Sequence, residues 1–415
     1  MFKAIPRQSV ELSVQETGRL ISALLRQPVA SGKTVSEFEN RMAELIGVKE
    51  AVCFSSQRAG MYAVLKALGP HPGDEVIVPA YTFFSVPACV VRAGFTPVFV
   101  DVRPDTWNLD PEKVKSALSP RTRAIIVTHL NGCPADMGPL TEMAKKTGAR
   151  LIEDCAQSLG ATYHSKFVGS FGIGCFSFGE GKNLLALGGG MISTNDSSLA
   201  RRLRETTQRF PPPGSREMGL KAVKLLAYRI LTHPWIFTFS AFPLISLATY
   251  LKREVNTESE HTLNHVSSDS LQTRFGDVQA ALGLAQLASL ASRNQKRREN
   301  AEALFDDLKG VNSIQLPPRL SDRTHLFIHY AIRVPHREQW VRALMRSGID
   351  AQRDYCSFCP ALPDFRPPRS RIPLPTPTAE GLDGKVAYLP NQPSLGRTDM
   401  QRIAQAVRKV LSGEK

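Results

Sequence analysis

The sequence lacks the marks of several classes of protein. Its seven cysteines are an odd number without the spacing of a disulfide framework, so we expect reduced thiols and a cytoplasmic protein. The beginning of the chain has no apolar stretch, so we expect no secretory signal. No internal repeat, low-complexity block or motif for reading RNA or DNA stands out, and we predict no nucleic-acid partner. Cys356 and Cys359 form a CxxC with no second ligand pair nearby, so we predict no metal site.

Positive charge is what the sequence has in excess, with a formal net charge of +14 and a pI near 9.6. Such a charge attracts phosphate groups, whether on a nucleic acid, on a nucleotide-bearing substrate or on an anionic bilayer, and it does not choose among them. The contents of 42% apolar and 22% charged residues are typical of a globular protein. At 415 residues we expect two domains that share a large core.

Helical patterns alternate with short apolar runs over residues 35–194. The pattern predicts helices at 36–46 and 58–68 and buried strands at 75–79, 97–101, 124–128, 150–154 and 175–178. This alternation indicates an α/β fold with a mainly parallel sheet flanked by helices. A long helix or a helix pair is predicted over 277–308, followed by mixed strands and helices. We therefore predict a large domain at 1–288 and a small α+β domain at 289–415.

A polar turn begins the predicted helix at 58–68. The residues are Ser56, Gln57 and Arg58. Exposed backbone N–H groups and the helix dipole favour a phosphate at such a helix start, and Arg58 adds a full charge. The alternative is that Ser56 simply caps the helix while Arg58 is solvated.

Two further residues stand at the ends of predicted strands. Asp154 ends a strand in LIEDCAQSLGA, at the edge where open α/β sheets bind ligands, and its carboxylate can hold a pyridine nitrogen protonated. Lys182 follows another strand in a glycine-rich turn, where partial desolvation favours the neutral amine needed for imine formation. Ser177 can add a hydroxyl to a phosphate. Taken singly, Asp154 can be a helix cap and Lys182 a solvated loop residue; their order along the chain favours a site.

Over residues 31–196 and 268–290 the chain resembles the DegT/DnrJ/EryC1/StrS family. The matching stretches are GDEVIVPAYTFFS, TPVFVDV, ALSPRTRAIIVTHLNGCPADM, IEDCAQSLGA, GSFGIGCFSFGEGKN and DVQAALGLAQL. These proteins are mainly nucleotide-sugar aminotransferases of PLP-transferase fold type I, which use pyridoxal 5'-phosphate (PLP). The resemblance therefore implies that fold, that cofactor and a homodimer with its active sites at the subunit interface.

The resemblance also implies roles for single residues. Lys182 would carry PLP as a Schiff base and shuttle the proton, and Asp154 would pair with the pyridinium nitrogen. Gln157 would reach the cofactor or a substrate hydroxyl. The remaining expected cofactor-binding residues are Ser56, Gln57, Arg58 and Ser177 at the phosphate, Phe83 stacked on the ring, and Gln272 reaching across the dimer interface.

The chain departs from the family pattern around the substrate more than around the cofactor. Gln57-Arg58 stands where a small residue and threonine are usual, and Gln272 replaces an asparagine. Asp354-Tyr355 replaces His-Tyr, and Asn131 replaces an aromatic residue. These departures suggest PLP chemistry on an unusual acceptor.

A hydrophobic and basic insertion is predicted at about 205–265. Its apolar part, 231–251, is interrupted by Pro234 and Pro243, so we do not expect it to span a membrane. Aromatic and basic residues over 218–253 favour contact with an anionic bilayer, and the alternative is an arm buried in the dimer interface. The aromatic residues are Tyr228, Trp235, Phe237, Phe239, Phe242 and Tyr250, and the basic ones are Lys221, Lys224, Arg229, Lys252 and Arg253.

The sequence thus predicts an aminotransferase that moves an amino group from an amino acid, with glutamate implied by the resemblance, to a keto-sugar. The acceptor is expected to be nucleotide-linked, with a lipid-linked acceptor as the alternative. A PLP-dependent elimination or condensation is a second hypothesis, and a catalytically silent, membrane-associated regulatory protein is a third. We expect a cytoplasmic protein that can lie peripherally on the inner face of a membrane.

Overall fold

A computed structural model describes residues 3–25, 32–250, 273–353 and 355–412. The helices are α1 (Val14–Leu25), α2 (Lys33–Ile46), α3 (Gln57–Ala67), α4 (Ser85–Ala93), α5 (Pro111–Ala117), α6 (Met137–Thr147), α7 (Ser197–Gln208), α8 (Ser215–Leu231), α9 (Pro234–Phe239), α10 (Ala241–Tyr250), α11 (Asp277–Leu308), α12 (Arg337–Arg346), α13 (Pro377–Leu382) and α14 (Arg397–Ser412). The strands are β1 (Glu50–Phe54), β2 (Glu75–Pro79), β3 (Tyr81–Thr82), β4 (Thr96–Val100), β5 (Thr122–Thr128), β6 (Arg150–Asp154), β7 (Thr162–Tyr163), β8 (Lys166–Phe167), β9 (Ile173–Ser177), β10 (Gly190–Thr194), β11 (Arg323–Thr324), β12 (Tyr330–Arg333), β13 (Gln352–Arg353), β14 (Ser357–Phe358) and β15 (Val386–Leu389).

A seven-stranded sheet forms the centre of the molecule, with the strand order β1-β10-β9-β6-β5-β2-β4. Strands β9, β6, β5, β2 and β4 pair in parallel, whereas β10 runs antiparallel to both of its neighbours. The five predicted strands are all present, and the predicted α/β class with a mainly parallel, helix-flanked sheet is confirmed. The sequences of these strands are continuous apolar runs because helices cover both faces of the sheet. Side chains on either face are therefore buried among apolar groups.

The C-terminal part of the chain builds a smaller α+β unit. Strands β12, β15 and β13 form an antiparallel sheet, which packs with α12, α14 and the end of α11 around a second apolar cluster. Helix α11 runs without a break across residue 288. Its early residues Val278 and Leu282 pack with α1, whereas Leu304 and Leu308 pack in the C-terminal cluster. The division at residue 288 therefore stays a prediction, since one helix serves both units.

The N-terminal segment, residues 3–11, crosses from the C-terminal unit towards the large sheet. Ile5 forms a β-bridge with Ile349, and the guanidinium of Arg7 donates to the carboxylate of Asp350 at 2.7 Å. Gln392 Nε2 donates to the carbonyl of Pro6 at 2.9 Å. These contacts hold the segment against the C-terminal unit.

The predicted insertion contains three consecutive helices, α8, α9 and α10, which we call the apolar arm (residues 215–250). One face of the arm is buried: Phe237 and Phe242 pack with Ala4 and Met345. The opposite face exposes apolar side chains, namely Leu220, Val223, Ile230, Leu231, Trp235, Ile236, Phe239, Leu244 and Leu247. Within the described ranges, no helix combines the length and the apolar character that crossing a membrane requires. Lys252 and Arg253 lie outside the described residues.

Glu153 ties β6 to the turn that precedes β9. Its fully buried carboxylate accepts hydrogen bonds from the backbone N–H groups of Gly169 at 2.7 Å and of Phe171 and Gly172 at 2.8 Å each. The ring of His129 lies 3.2 Å from the same carboxylate and receives the N–H of Ala135 on its other nitrogen. A buried carboxylate with this many donors is stable without a metal ion.

We predict that Glu153→Gln lowers the midpoint of thermal unfolding by several degrees. The amide has one acceptor oxygen instead of two and turns a donor towards backbone N–H groups, which leaves buried groups unpaired at a cost of about 1–3 kcal/mol. Differential scanning calorimetry checks this, with the exposed Glu142→Gln on α6 as the matched control. Equal midpoints for the two variants would show that Glu153 does not hold the turn.

Candidate active site

Asp154 lies at the carboxyl end of β6, in the middle of the large sheet, and is buried. Its Oδ1 accepts hydrogen bonds from Gln57 Nε2 at 3.0 Å and from the backbone N–H of Ala156 at 3.1 Å. Among the described residues, Oδ2 accepts none. Burial raises the pKa of Asp154, and the N–H of Ala156 and the charges of Lys182 and His129 oppose that rise. The residue therefore presents one unused carboxylate oxygen to its surroundings.

Lys182 lies in the glycine-rich turn between β9 and β10, where its charge acts on Asp154. Its Nζ contacts the hydroxyl of Tyr355 and lies 5.1 Å from the centre of the same ring. Tyr355 comes from the C-terminal part of the chain and is brought here because β14 pairs with β3 of the large domain. The two units of the molecule therefore meet at this lysine.

An aromatic wall surrounds the lysine. The ring of Tyr355 lies 5.5 Å from Phe83, and the ring of His329 lies 4.6 Å from Tyr355 and 5.5 Å from Tyr388. Burial, followed by the charges of Lys182 and Arg297, lowers the pKa of His329 to about 3. His329 is therefore neutral at physiological pH and adds no positive charge beside the lysine.

The residues expected at a phosphate cluster at the start of α3. The hydroxyl of Ser56 accepts the backbone N–H of Ala59 at 3.1 Å, so Ser56 caps the helix, as the alternative interpretation held. Gln57 turns its side chain to Asp154 instead of outwards. Arg58 is half-buried beside it, and Ser177 ends β9 with a partly exposed side chain. Ser56 thus binds the helix and Gln57 binds the carboxylate of Asp154, whereas Arg58 and Ser177 lie at the open edge of the sheet.

The structure describes one of two further expected site residues. Gln157 is buried, and its Oε1 accepts the backbone N–H of Asn131 at 2.6 Å, which fixes the loop after β5. Gln272 lies outside the described residues, as does Asp354. The sequence analysis did not select His329, Tyr388 or Arg297. His329 stands in an apolar, strand-like stretch, and a histidine in such a stretch could have indicated a functional residue.

Comparison with known families decides what kind of enzyme carries this site. The sequence profile of the DegT/DnrJ/EryC1/StrS aminotransferase family matches residues 11–223 and 247–408. The chain belongs to this family. The resemblance seen in the sequence is thereby confirmed, and the protein is an aminotransferase. The two matched ranges leave out residues 224–246, which make up most of the apolar arm.

Individual relatives of this DegT-family aminotransferase agree with the assignment. The chain is 34% identical over 379 residues (90% of this chain, 88% of the relative) to UDP-N-acetyl-3-dehydro-alpha-D-glucosamine 3-aminotransferase of Acidithiobacillus ferrooxidans. It is 30% identical over 391 residues (92% and 91%) to GDP-perosamine synthase of Caulobacter vibrioides. The structure superposes on an aminotransferase from Psychrobacter cryohalolentis with a TM-score of 0.77 and 25% identity, covering 97% of this chain and 98% of that one. The expected fold type is confirmed.

We predict that Asp154→Asn raises the thermal midpoint of the ligand-free aminotransferase by about 1–3 °C at pH 7. Because the pKa of Asp154 is raised in the folded state, the native protein binds more protons than the unfolded chain as pH falls. The ionised carboxylate therefore costs stability at neutral pH, and the cost disappears at a pH below both pKa values.

Calorimetry at pH 7 and at acidic pH tests the sign of this effect. Asp350→Asn is the matched control, because it removes the partner of Arg7 and should lower the midpoint. A lower midpoint for Asp154→Asn at pH 7 would mean that its carboxylate stabilises the fold.

Proposed function

We propose that this aminotransferase uses PLP to move an amino group from an amino acid, with glutamate as the expected donor, to a keto-sugar carried on a nucleoside diphosphate. The observation that carries the proposal is that the buried Asp154 ends β6 with one carboxylate oxygen unused, and that Lys182, in the turn after β9, lies near enough for its charge to act on Asp154. The acceptor class is supported by two relatives whose names specify a UDP-linked and a GDP-linked sugar. The net charge of +14 suits substrates that carry a diphosphate.

The geometry of the site fits PLP. Asp154 has an unused Oδ2 that would accept the proton on the ring nitrogen, and Gln57 would hold the carboxylate in place. Phe83 would lie against the ring. When bound, PLP supplies an electron sink that stabilises negative charge on the carbon bearing the amino group.

The phosphate of PLP would lie at the start of α3. Backbone N–H groups point outwards there, Arg58 supplies a positive charge, and Ser177 ends the neighbouring β9. Ser56 caps the helix through its oxygen, and its O–H remains available as a donor. Gln157 would offer its Nε2 to the cofactor or a substrate hydroxyl, and Gln272 is proposed to contribute from the partner subunit.

Lys182 is the proposed base. Its Nζ, once neutral, can take the proton from the α-carbon of the donor and return it on the other side of the transfer. The contact with the hydroxyl of Tyr355 orients the amine. The buried and neutral His329 keeps the surroundings of the amine poorly solvated. Since the family consists of aminotransferases, transamination is favoured over elimination or condensation and over a silent regulatory protein.

We predict that Lys182→Ala abolishes release of the 2-oxo acid from the amino donor, because both the Schiff base and the proton transfer of the proposal need that amine. Independently of activity, borohydride reduction of the wild type with PLP should attach the cofactor covalently to Lys182, as located by peptide mapping. Lys166→Ala, an exposed lysine on β8, is the matched control and should behave as the wild type. An adduct mapped to a different lysine would overturn the proposal.

A homodimer is part of the same proposal. Helix α1 exposes Val14 and Leu25, with 84% and 79% of their side-chain surface accessible. Exposed apolar side chains in such number favour burial against a second subunit. Light scattering after size exclusion measures the mass directly.

We further propose that the apolar arm docks the enzyme on the cytoplasmic face of an anionic membrane. Its outer face combines the exposed Trp235, Ile236 and Phe239 with the exposed Lys221 and Lys224, a combination typical of interfacial helices. Lys221 is partly neutralised by Glu217 at 2.7 Å, whereas Lys224 forms no salt bridge with the described residues. In a two-fold contact the arm would face its own copy, and these like charges would repel.

The base of the apolar arm lies beside the active site. Arg229, Thr232 and His233 line an open cleft of about 390 Å³. Ser9 and Arg293 line both this cleft and the cavity that contains Lys182. A membrane-docked arm would therefore bring the site close to the bilayer, which suits a substrate or a partner enzyme held there.

We predict that the wild type co-sediments at low salt with vesicles that contain phosphatidylglycerol. Binding should weaken at high salt, because salt screens the attraction to anionic lipid. It should also be weaker on neutral phosphatidylcholine vesicles, which lack that attraction. Replacing Trp235, Ile236 and Phe239 with serine should release the protein with PLP binding intact.

Serine at Ile372, which is also exposed and apolar but lies outside the arm and α1, is the matched control and should leave sedimentation unchanged. Absence of binding to anionic vesicles at low salt would rule the docking out. A change from dimer to monomer in the arm variant would assign the arm to subunit contact instead.

A further inference from the structure

Arg297 is a buried cation without a counter-ion. It lies on α11 with 6% of its surface exposed, and among the described residues no carboxylate lies within salt-bridge distance of its guanidinium. Its Nη1 is buried and donates no hydrogen bond. Burying a charge without a partner is costly, so a protein that keeps one has a use for it.

Two other arginines line the same cavity and differ from Arg297 in this respect. Arg7 is paired with Asp350, and Arg293, one turn earlier on α11, donates to the carboxylate of Glu16 at 2.7 Å. Burial lowers the pKa of Arg297 to about 10, so the side chain keeps its charge at neutral pH. Arg297 therefore brings to the cavity a positive charge that no described carboxylate pairs with at salt-bridge distance, although the charge of Glu11, which lines the same cavity, also acts on it.

The cavity that Arg297 lines also contains the proposed base. It is small, about 50 Å³, and its wall includes Lys182, Asn183, His329 and Tyr388. Lys182, His329 and Arg297 all line this cavity, and the charges of Lys182 and Arg297 both act on His329. An anion held by Arg297 would therefore share the cavity with the amine of Lys182.

We infer that Arg297 binds the carboxylate of the amino donor and so selects amino acids as donors. This inference rests on the proposed function, because it names the ligand of the same site. The planar guanidinium matches a carboxylate through two parallel hydrogen bonds. A carboxylate fits a small cavity, whereas the diphosphate of the acceptor needs more room. A donor held by its carboxylate presents its amino group towards Lys182.

The test is Arg297→Met, which keeps an unbranched apolar stem and removes the charge. Calorimetric titration of the PLP-loaded enzyme with glutarate, a dicarboxylate that cannot react, should give a dissociation constant about 10- to 100-fold higher than for the wild type. The KM for the amino donor should rise by a similar factor. Conversion of an amino-sugar nucleotide to its keto form should keep its KM, and Arg297→Lys should restore part of the glutarate affinity.

Stability separates this role from a structural one. Arg297→Met should leave the ligand-free midpoint unchanged or raise it, because it removes an unpaired buried charge. Arg293→Met is the matched control and should lower the midpoint, since it strands the carboxylate of Glu16. A lowered midpoint with unchanged glutarate affinity in Arg297→Met would overturn the inference. Weaker binding of the nucleotide sugar with unchanged glutarate affinity would assign Arg297 to the acceptor, which also overturns it.

The outcome can be distinguished from failure of the proposed function. If borohydride attaches no cofactor to Lys182 in the wild type, the proposed PLP chemistry fails. Glutarate binding to the protein without PLP still reports on Arg297 in that case, and loss of that binding in Arg297→Met supports a carboxylate site by itself.

Discussion

The burial of one carboxylate, Asp154, is the constraint on which the arrangement of the site depends. Its cost is offset by Gln57, which stands 97 positions earlier in the chain, and by the N–H of the following turn. Satisfying Asp154 therefore fixes the start of α3 against the end of β6. The same contacts occupy only Oδ1, so the second oxygen is left for the proposed cofactor. The neighbouring Glu153 points to the other side of the strand, where backbone donors of the 169–172 turn satisfy it. Glu153 thus holds the 169–172 turn while Asp154 lies in the site, because successive side chains of a strand point to opposite faces of the sheet.

Much of the large domain is predictable from sequence because its signals are local. Buried parallel strands appear as short apolar runs, and β2 and β6 have the predicted boundaries. The positions of Asp154 and Lys182 follow from strand ends. The direction of the Gln57 side chain does not, since it depends on a partner in another strand. His329 and Tyr388 were missed for a similar reason, because only tertiary packing brings them to Tyr355, whereas Phe83 and Tyr355 stand in motifs that the sequence shows.

The apolar arm marks another limit of sequence reasoning. In α8 the buried face contains Met218, Ala222 and Leu225, while Leu220 and Val223 are exposed. Both faces are apolar, so periodicity does not indicate which one packs inwards. The aromatic residues divide in the same way: Phe237 and Phe242 are buried, whereas Trp235 and Phe239 are exposed. Only the tertiary packing against the C-terminal unit decides this.

The path of the N-terminal segment has a consequence for the order in which the molecule is made. Arg7 and Gln8 line the cavity that contains Lys182, yet the partner of Arg7 is Asp350, 343 positions later. A chain emerging from the ribosome therefore contains all strands of the large sheet before the partner of Arg7 has been synthesised. The cavity acquires its final wall only after the C-terminal unit has been synthesised and has folded. Contacts of such long range form slowly, so this site is among the last parts of the nascent protein to mature.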